Sequence, residues 1–326
     1  MGVVAACVAS RPRAVRRVLL AFAPVWPSRL RVAGRPSGRP AFFCENCSSI
    51  QAGLFVVGLF FLITSLFLHV QHYTVEADVS EPIRIVQLTD LHNAQFGKGN
   101  RRLIERVAEQ EPDLILMTGD MQDRDVESTE IVEDLIRELS KLAPVYYSYG
   151  NHETTWESRW GKDLHQIFTE AGATVLECEY VDVEVNGQQL RIGGYMGYWW
   201  QPHMTIHDPA QKERHYQFFH DFKETDRCMI LLNHIPTQWL DWNYIDTAPA
   251  GIVFCGHYHG GMIRIPILDQ GLVAPYVGWF PPYTKGVFVG KESTCVLSTG
   301  LGIEHHIPRW NNPPEILVAD LVPGKA

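Results

Sequence analysis

The chain has 326 residues, 46% hydrophobic and 20% charged, enough to bury a sizeable core in one large domain or two small ones. Its formal charge of −9 is unevenly laid out. Residues 1–50 hold eight arginines against one acid, Glu45, so the remainder carries a balance of −16. A body that acidic, with no basic stripe, argues against a protein built to grip a nucleic-acid backbone.

In chain order, residues 1–50 read as an arginine-rich disordered leader. Pro24, Pro27, Pro36 and Pro40 interrupt the clean amphipathic helix that a transit peptide would need. Cys44 and Cys47 form a single C-x-x-C; without a second pair zinc is disfavoured, leaving lipid attachment or no role. The run "AGLFVVGLFFLITSLFLHV", Ala52 to Val70, is uncharged and almost wholly apolar. Its length is near the roughly 20 residues that cross a bilayer core. No small-x-small cleavage site follows it, so a transmembrane helix over residues 51–70 is expected rather than a cleaved signal peptide. The preceding arginines predict a cytoplasmic N-terminus, with the large domain outside the membrane. Residues 71–81 read as a linker and 82–326 as the folded domain.

That domain opens with a strand–helix rhythm. "IRIVQLTD" is a strand ending in an acid, and "NRRLIERVAEQ" a helix with Leu103, Ile104, Val107 and Ala108 on one face and Asn100 as its cap. "DLILMTGD" is the next strand. "STEIVEDLIRELSKL" is a helix with Ile131, Val132, Leu135, Ile136 and Leu139 aligned and Ser128 as its cap, and "PVYYSYGNHE" is a third strand. This βαβαβ order predicts a parallel sheet with covering helices. "VDVEVNGQQLRIGGY" reads as a hairpin, because Asn186-Gly187 suits a type I′ turn. "DPAQKERHYQFFHDFKETD" is a helix, and "CMILLNHIP" and "GIVFCGHYHGG" are strands running into polar loops. "GVFVG", "TCVLSTG" and "EILVADL" supply a second set of strands, giving one α/β domain of two packed sheets. Cys228, Cys255 and Cys295 fall in apolar runs, as small buried thiols do.

Five strand ends carry polar clusters: Asp90-Leu91-His92, Gly119-Asp120, Gly150-Asn151-His152-Glu153, Asn233-His234 and Gly256-His257-Tyr258-His259. The C-terminal strand ends of open α/β sheets converge on one crevice, where ligands bind. Alone, Asp90 or Asp120 would serve as a helix cap and His234 as a core histidine; five clusters in the same place point to a shared site. Carboxylates, imidazoles and one amide oxygen exceed the four ligands of a structural zinc. They suit two divalent ions, roughly 3.5–4 Å apart, that share a carboxylate.

Taken in order, D-x-H, G-D, G-N-H-E, N-H and G-H-x-H resemble the calcineurin-like metallophosphoesterase superfamily over residues 83–321. The apolar run and the tail "STGLGIEHHIPRWNNPPEI" resemble its membrane-associated bacterial branch. The resemblance implies an α/β fold of two packed mixed sheets flanked by helices, a four-layer α/β/β/α sandwich. It implies two divalent ions (Mn, Fe or Zn), one held by Asp90, His92, Asp120 and His259, the other by Asp120, Asn151, His234 and His257. A hydroxide held by both ions would attack phosphorus in line. His152 would give a proton to the leaving oxygen, with Asp123 of "GDMQDRD" orienting it, and Arg124 would contact the substrate phosphate or remain a surface charge.

Tyr258 and Met262 stand where the branch commonly has Thr and Gln, which implies a different pocket wall. The aromatics Tyr198, Trp199, Trp200, Trp279 and Phe280 would line a substrate groove, rest on the membrane or pack at the rim; His305 and His306 are left without a role. The implied activity is membrane-anchored phosphoester hydrolysis, on a lipid-linked or envelope phosphoester as the substrate hypothesis. The alternatives are a nucleotide phosphodiesterase or nuclease, and a non-catalytic metal-binding membrane protein. The expected partners are a phosphoester substrate and a lipid bilayer, with neither nucleic acid nor an obligate protein partner.

Overall fold

The computed structural model describes residues 67–324 apart from 197–208, 276 and 304–306, together with residues 53, 55–59, 61 and 63. The leader, Cys44, Cys47, eight residues of the expected span, Tyr198 to Trp200, His305 and His306 lie outside the described residues. Among the described residues, no helix is long and apolar enough to cross a membrane. His69 and Val70, assigned by sequence to the end of the span, begin a strand instead.

That strand, β1 (His69–Ala77), occupies most of the stretch read as a linker. It is followed by β2 (Ile83–Leu88), α1 (Arg101–Ala108), β3 (Leu114–Met117), α2 (Glu130–Leu139), β4 (Val145–Tyr147), α3 (Asn151–Trp160), α4 (Leu164–Ala171) and β5 (Ala173–Val175). Then come β6 (Glu179–Val185), β7 (Gln188–Tyr195), α5 (Pro209–Phe222), β8 (Cys228–Asn233), α6 (Thr237–Leu240) and β9 (Gly251–Cys255). Two short hairpins, β10 (Arg264–Ile265) with β11 (Gln270–Gly271) and β12 (Val273–Ala274) with β13 (Gly278–Trp279), precede β14 (Gly286–Val289), β15 (Ser293–Leu297) and β16 (Glu315–Pro323).

Two six-stranded sheets result, in the orders β1-β16-β2-β3-β4-β5 and β14-β15-β9-β8-β7-β6. Strands β2 to β5 are parallel to one another, as are β7, β8, β9 and β15; the antiparallel partners sit further out in each sheet. "EILVADL" does not join the second set of strands. As β16 it lies between β1 and β2 in the first sheet, pairing His69 with Glu315 along one edge and Leu317 with Gln87 along the other.

Period-2 alternation sorts the apolar side chains into layers. Ile83, Ile85, Leu114, Leu116, Ile230, Leu232, Ile252, Phe254, Leu317 and Ala319 fill the space between the sheets. Val86, Leu88, Ile115 and Met117 point the other way, onto Leu103, Val107, Val132, Leu135 and Ile136 of α1 and α2. Beyond the second sheet, Leu231, Val253, Cys255 and Cys295 pack with Phe218 and Phe222 of α5 and with Trp239 and Leu240 of α6. The architecture is therefore α/β, with two mixed sheets flanked by helices.

Local signals fared unevenly. Asn186 (φ 50°) and Gly187 (φ 77°) turn the β6–β7 hairpin as their sequence predicts. Asn100 stands at the N-cap of α1, but its side chain accepts from Phe96 N at 2.9 Å and caps no helical N–H. Thr129 rather than Ser128 occupies the N-cap of α2. Cys228, Cys255 and Cys295 are buried free thiols, as read.

Candidate metal centre

The five polar strand ends meet where the two sheets close on each other. Backbone bonds lace the loops together: Asp90 N donates to Gly119 O and His92 N to Asp120 O, both at 3.0 Å, and Gly256 N donates to His234 O at 3.0 Å. Asp90, His92, Asp120, His257 and His259 all have left-handed backbone, with φ between 47° and 69°. Non-glycine residues rarely adopt it, and it turns each side chain back over the sheet ends. Two glycines are required by close approach. A Cβ at Gly150 would collide with the Asp120 carboxylate, and one at Gly256 with the Asp90 carboxylate.

Three sets of ligand atoms fall within 4.8 Å of one another: Asp90, His92 and His259; His92, Asp120 and His152; and Asp120, His234 and His257. The first and third each bring together three of the four ligands in one of the two sets that the resemblance implies, and the triads are chained through His92 and Asp120. His92 Nε2 lies 3.3 Å from His259 Nε2, which is 3.4 Å from Asp90 Oδ1. His234 Nε2 lies 3.0 Å from Asp120 Oδ2 and 3.2 Å from His257 Nδ1. All of these side chains are buried.

The hydrogen bonding fixes where lone pairs point. His234 Nδ1–H donates to the Thr118 carbonyl at 2.8 Å, which leaves the lone pair on Nε2 facing Asp120. A carboxylate oxygen and an imidazole lone pair this close need a proton or a cation between them. With protons alone, burial pulls His234 down, but the charge and hydrogen bond of Asp120 outweigh it and raise the imidazole to about 10. Burial pushes Asp120 up, yet His234 and His152 hold it well below the usual carboxylate range. Burial instead raises Asp90, and burial with His92 and Arg309 pushes His259 well below the usual imidazole range. Asn151 Oδ1 is buried with no hydrogen-bond partner among the described residues. Leaving such an acceptor bare is costly, so a donor set of carboxylates, imidazoles and this amide oxygen fits divalent cations.

His152, Asp123 and Arg124 lie beside this cluster. His152 N donates to Asp120 Oδ1 at 2.8 Å, and its Nδ1 accepts from Arg124 N at 3.3 Å, which puts the imidazole proton on Nε2. Asp123 is 3.7 Å from His92 Nδ1 and 3.9 Å from His152 Nδ1, so it faces two imidazoles and not His152 alone. Burial raises the Asp123 carboxyl, but the neighbouring His92 imidazole and the Asp125 N–H outweigh it and bring it to about 2. Arg124 is half-buried, its carbonyl fixed by Arg159 and Trp160. Tyr258 turns away from the cluster: its hydroxyl lies 2.7 Å from Asp241 Oδ2 and 2.8 Å from Thr237 Oγ1 near α6, so it is no pocket wall.

Several residues escaped the sequence reading. The buried Glu153 carboxylate accepts from Asp120 N, Met121 N, Gln122 N, Gly150 N and the Tyr147 hydroxyl, at 2.6–3.1 Å, and so ties two ligand loops together. Gln87 Nε2 donates to Thr118 Oγ1 and Cys255 O, one from each sheet. Asn312 Nδ2 donates to the carbonyls of His259 and Met262, and buried Arg309 donates to Thr299 O, with its Nη2 3.4 Å from His259 Nδ1. Glu153 stands in "GNHE", Gln87 in "IRIVQLTD", and Arg309 and Asn312 in the quoted tail, yet only the folded chain shows which carbonyls and amides they reach.

Among curated proteins, YpbG of Bacillus subtilis is 26% identical over 243 residues, covering 74% of this chain and 81% of that one. Phosphodiesterase YaeI of Escherichia coli is 25% identical, covering 75% and 84%. The metallophosphoesterase YkuE of Bacillus subtilis is 26% identical, covering 73% and 78%. The family model described as calcineurin-like phosphoesterase matches residues 83–261, a span that includes all seven candidate ligands. The chain thus belongs to the calcineurin-like phosphoesterase family and is a metal-dependent hydrolase.

Proposed function

We propose that the protein is a membrane-anchored phosphohydrolase working with two divalent ions, one at Asp90, His92, Asp120 and His259, the other at Asp120, Asn151, His234 and His257. The observation that carries this reading is the run of ligand triads chained through His92 and Asp120, with the bare Asn151 Oδ1 beside them. Bound ions would supply positive charge to the phosphoryl oxygens and acidify the attacking water. The chain's own part is to hold that charge in place and to present a hydrogen-bond donor to the leaving oxygen. Asp120 sits at the centre of the donor set, and His234 is turned toward it by the Thr118 carbonyl. The Nε2–H of His152 is the hydrogen-bond donor offered to the leaving oxygen, kept in that tautomer by Arg124 N. Asp123 steadies the rings of His92 and His152, and Arg124 reaches for the substrate phosphate.

Anchoring through the apolar run before His69 rests on its composition, and an extracytoplasmic catalytic domain on the arginines before it. Manganese, iron and zinc all suit the donor set. A lipid-linked or envelope phosphoester is the substrate that membrane attachment favours. The relative named a phosphodiesterase favours diesters over monoesters. The purified full chain, supplied with manganese, tests the activity on chromogenic phosphodiester and phosphomonoester substrates. Hydrolysis of the diester that D120N lowers by about 10²–10³-fold, on the scale of losing an electrostatic stabiliser, is expected. Full activity in D120N would reject the proposal.

A further inference from the structure

The two hairpins after His259 carry apolar side chains in water. Ile267 and Leu268, at the β10–β11 tip, are 103% and 72% exposed; Trp279 and Phe280, at the end of β13, are 71% and 58% exposed. Ile267 has φ 72° and Phe280 φ 54°, left-handed positions where a surface turn ordinarily places Gly or Asn. The acid beside the first tip is neutralised: Asp269 pairs with Arg264 and with Lys285, each at 2.9 Å. Leu272 joins the hairpins, its N–H shared between the carbonyls of Gly261 and Ile263, while its own carbonyl accepts from Phe280 N. The tips are therefore fixed to the loop that carries His257 and His259.

The apolar N-terminal run reaches the same loop. Trp310 bridges to Ile263, its indole N–H donates to Gly58 O at 3.3 Å, and its ring lies 5.0 Å from that of Phe61. Phe55, Val56, Val57 and Leu59 of that run are exposed.

We infer that these hairpin tips form the edge on which the catalytic domain docks to a lipid bilayer, setting the metal centre beside the headgroups; this rests on the membrane anchoring proposed above. A bilayer is the occupant because the run that meets Trp310 is uncharged and of spanning length, and because exposed Trp and Phe suit the headgroup boundary.

The test is tryptophan quenching by brominated acyl chains, with the full chain reconstituted in phosphatidylethanolamine–phosphatidylglycerol vesicles. W279F should lose a quenched component, L268W should gain one, and W242F, in the loop after α6, should leave quenching unchanged. Wild-type rates on a soluble phosphodiester confirm that each variant is folded. Vesicle-bound protein in which W279F and L268W quench like wild type would overturn the docking edge while leaving the anchor. Wild-type protein that does not float with vesicles would overturn the anchor, and the edge with it. A dimer in detergent that L268W disrupts, with no quenching in vesicles, would assign the tips to a second copy instead.

Discussion

Replacing Glu153 by Gln keeps the shape of the side chain and changes only what it offers to its donors. Oε1 accepts from Met121 N, Gln122 N and the Tyr147 hydroxyl; Oε2 accepts from Asp120 N and Gly150 N. The amide of glutamine has one acceptor oxygen, which best serves the three-donor side. Its NH₂ then faces the N–H groups of Asp120 and Gly150, both in a fully buried site. Each stranded donor costs about 1–3 kcal/mol, so the variant loses about 2–6 kcal/mol of a stability typically about 5–15 kcal/mol. In a domain of this size each kcal/mol moves Tm by about 2–4 °C, so E153Q should melt at least about 4 °C lower. Thermal unfolding of the metal-stripped chain, followed by far-UV circular dichroism, reads this directly. Because the same bonds hold the Asp120 and Asn151 loops in register, diester hydrolysis should fall as well. A melting temperature within about 1 °C of wild type would refute the claim that this carboxylate holds the loops together.

The remaining predictions concern the centre itself. The pKa of His234 is raised in the folded chain, so its contribution to metal-free stability is fully present below about 6.5, the unfolded value, and fades as pH rises toward about 10. A divalent ion replaces that proton, so stabilisation by added manganese should grow over the same interval, as urea midpoints with and without metal would reveal; a pH-independent increment would contradict it. In G150A the new methyl group must displace the Asp120 carboxylate, so diester turnover should drop by at least about 10²-fold, the scale of losing one electrostatic contact; turnover within twofold of wild type would show that the loop yields.

Which parts of this were legible in the sequence follows from the range of the forces involved. Strand–helix alternation and the five polar strand ends are local patterns, and parallel βα units carry such ends to one crevice whatever the loops do. Strand β1 was hidden because "HVQHYTVEA" buries only Val75; its strand character comes from pairing with β16, not from its own pattern. Sequence order likewise failed for β16, whose apolar run fits a buried strand in either sheet and is placed by partners more than two hundred residues away. Glu153, Gln87 and Arg309 looked like ordinary polar residues because their roles are set by backbone groups that only the tertiary fold brings near. The motif of Asp123 points to His152 alone, whereas the fold sets it between two imidazoles.

The number of divalent ions bound per chain tests the central claim most directly. Titration of the metal-free full chain with manganese, followed calorimetrically and checked by elemental analysis, should give about two ions per chain, as a dinuclear phosphohydrolase requires, and about one or fewer in D120N. One ion or none in the wild-type chain would contradict the account.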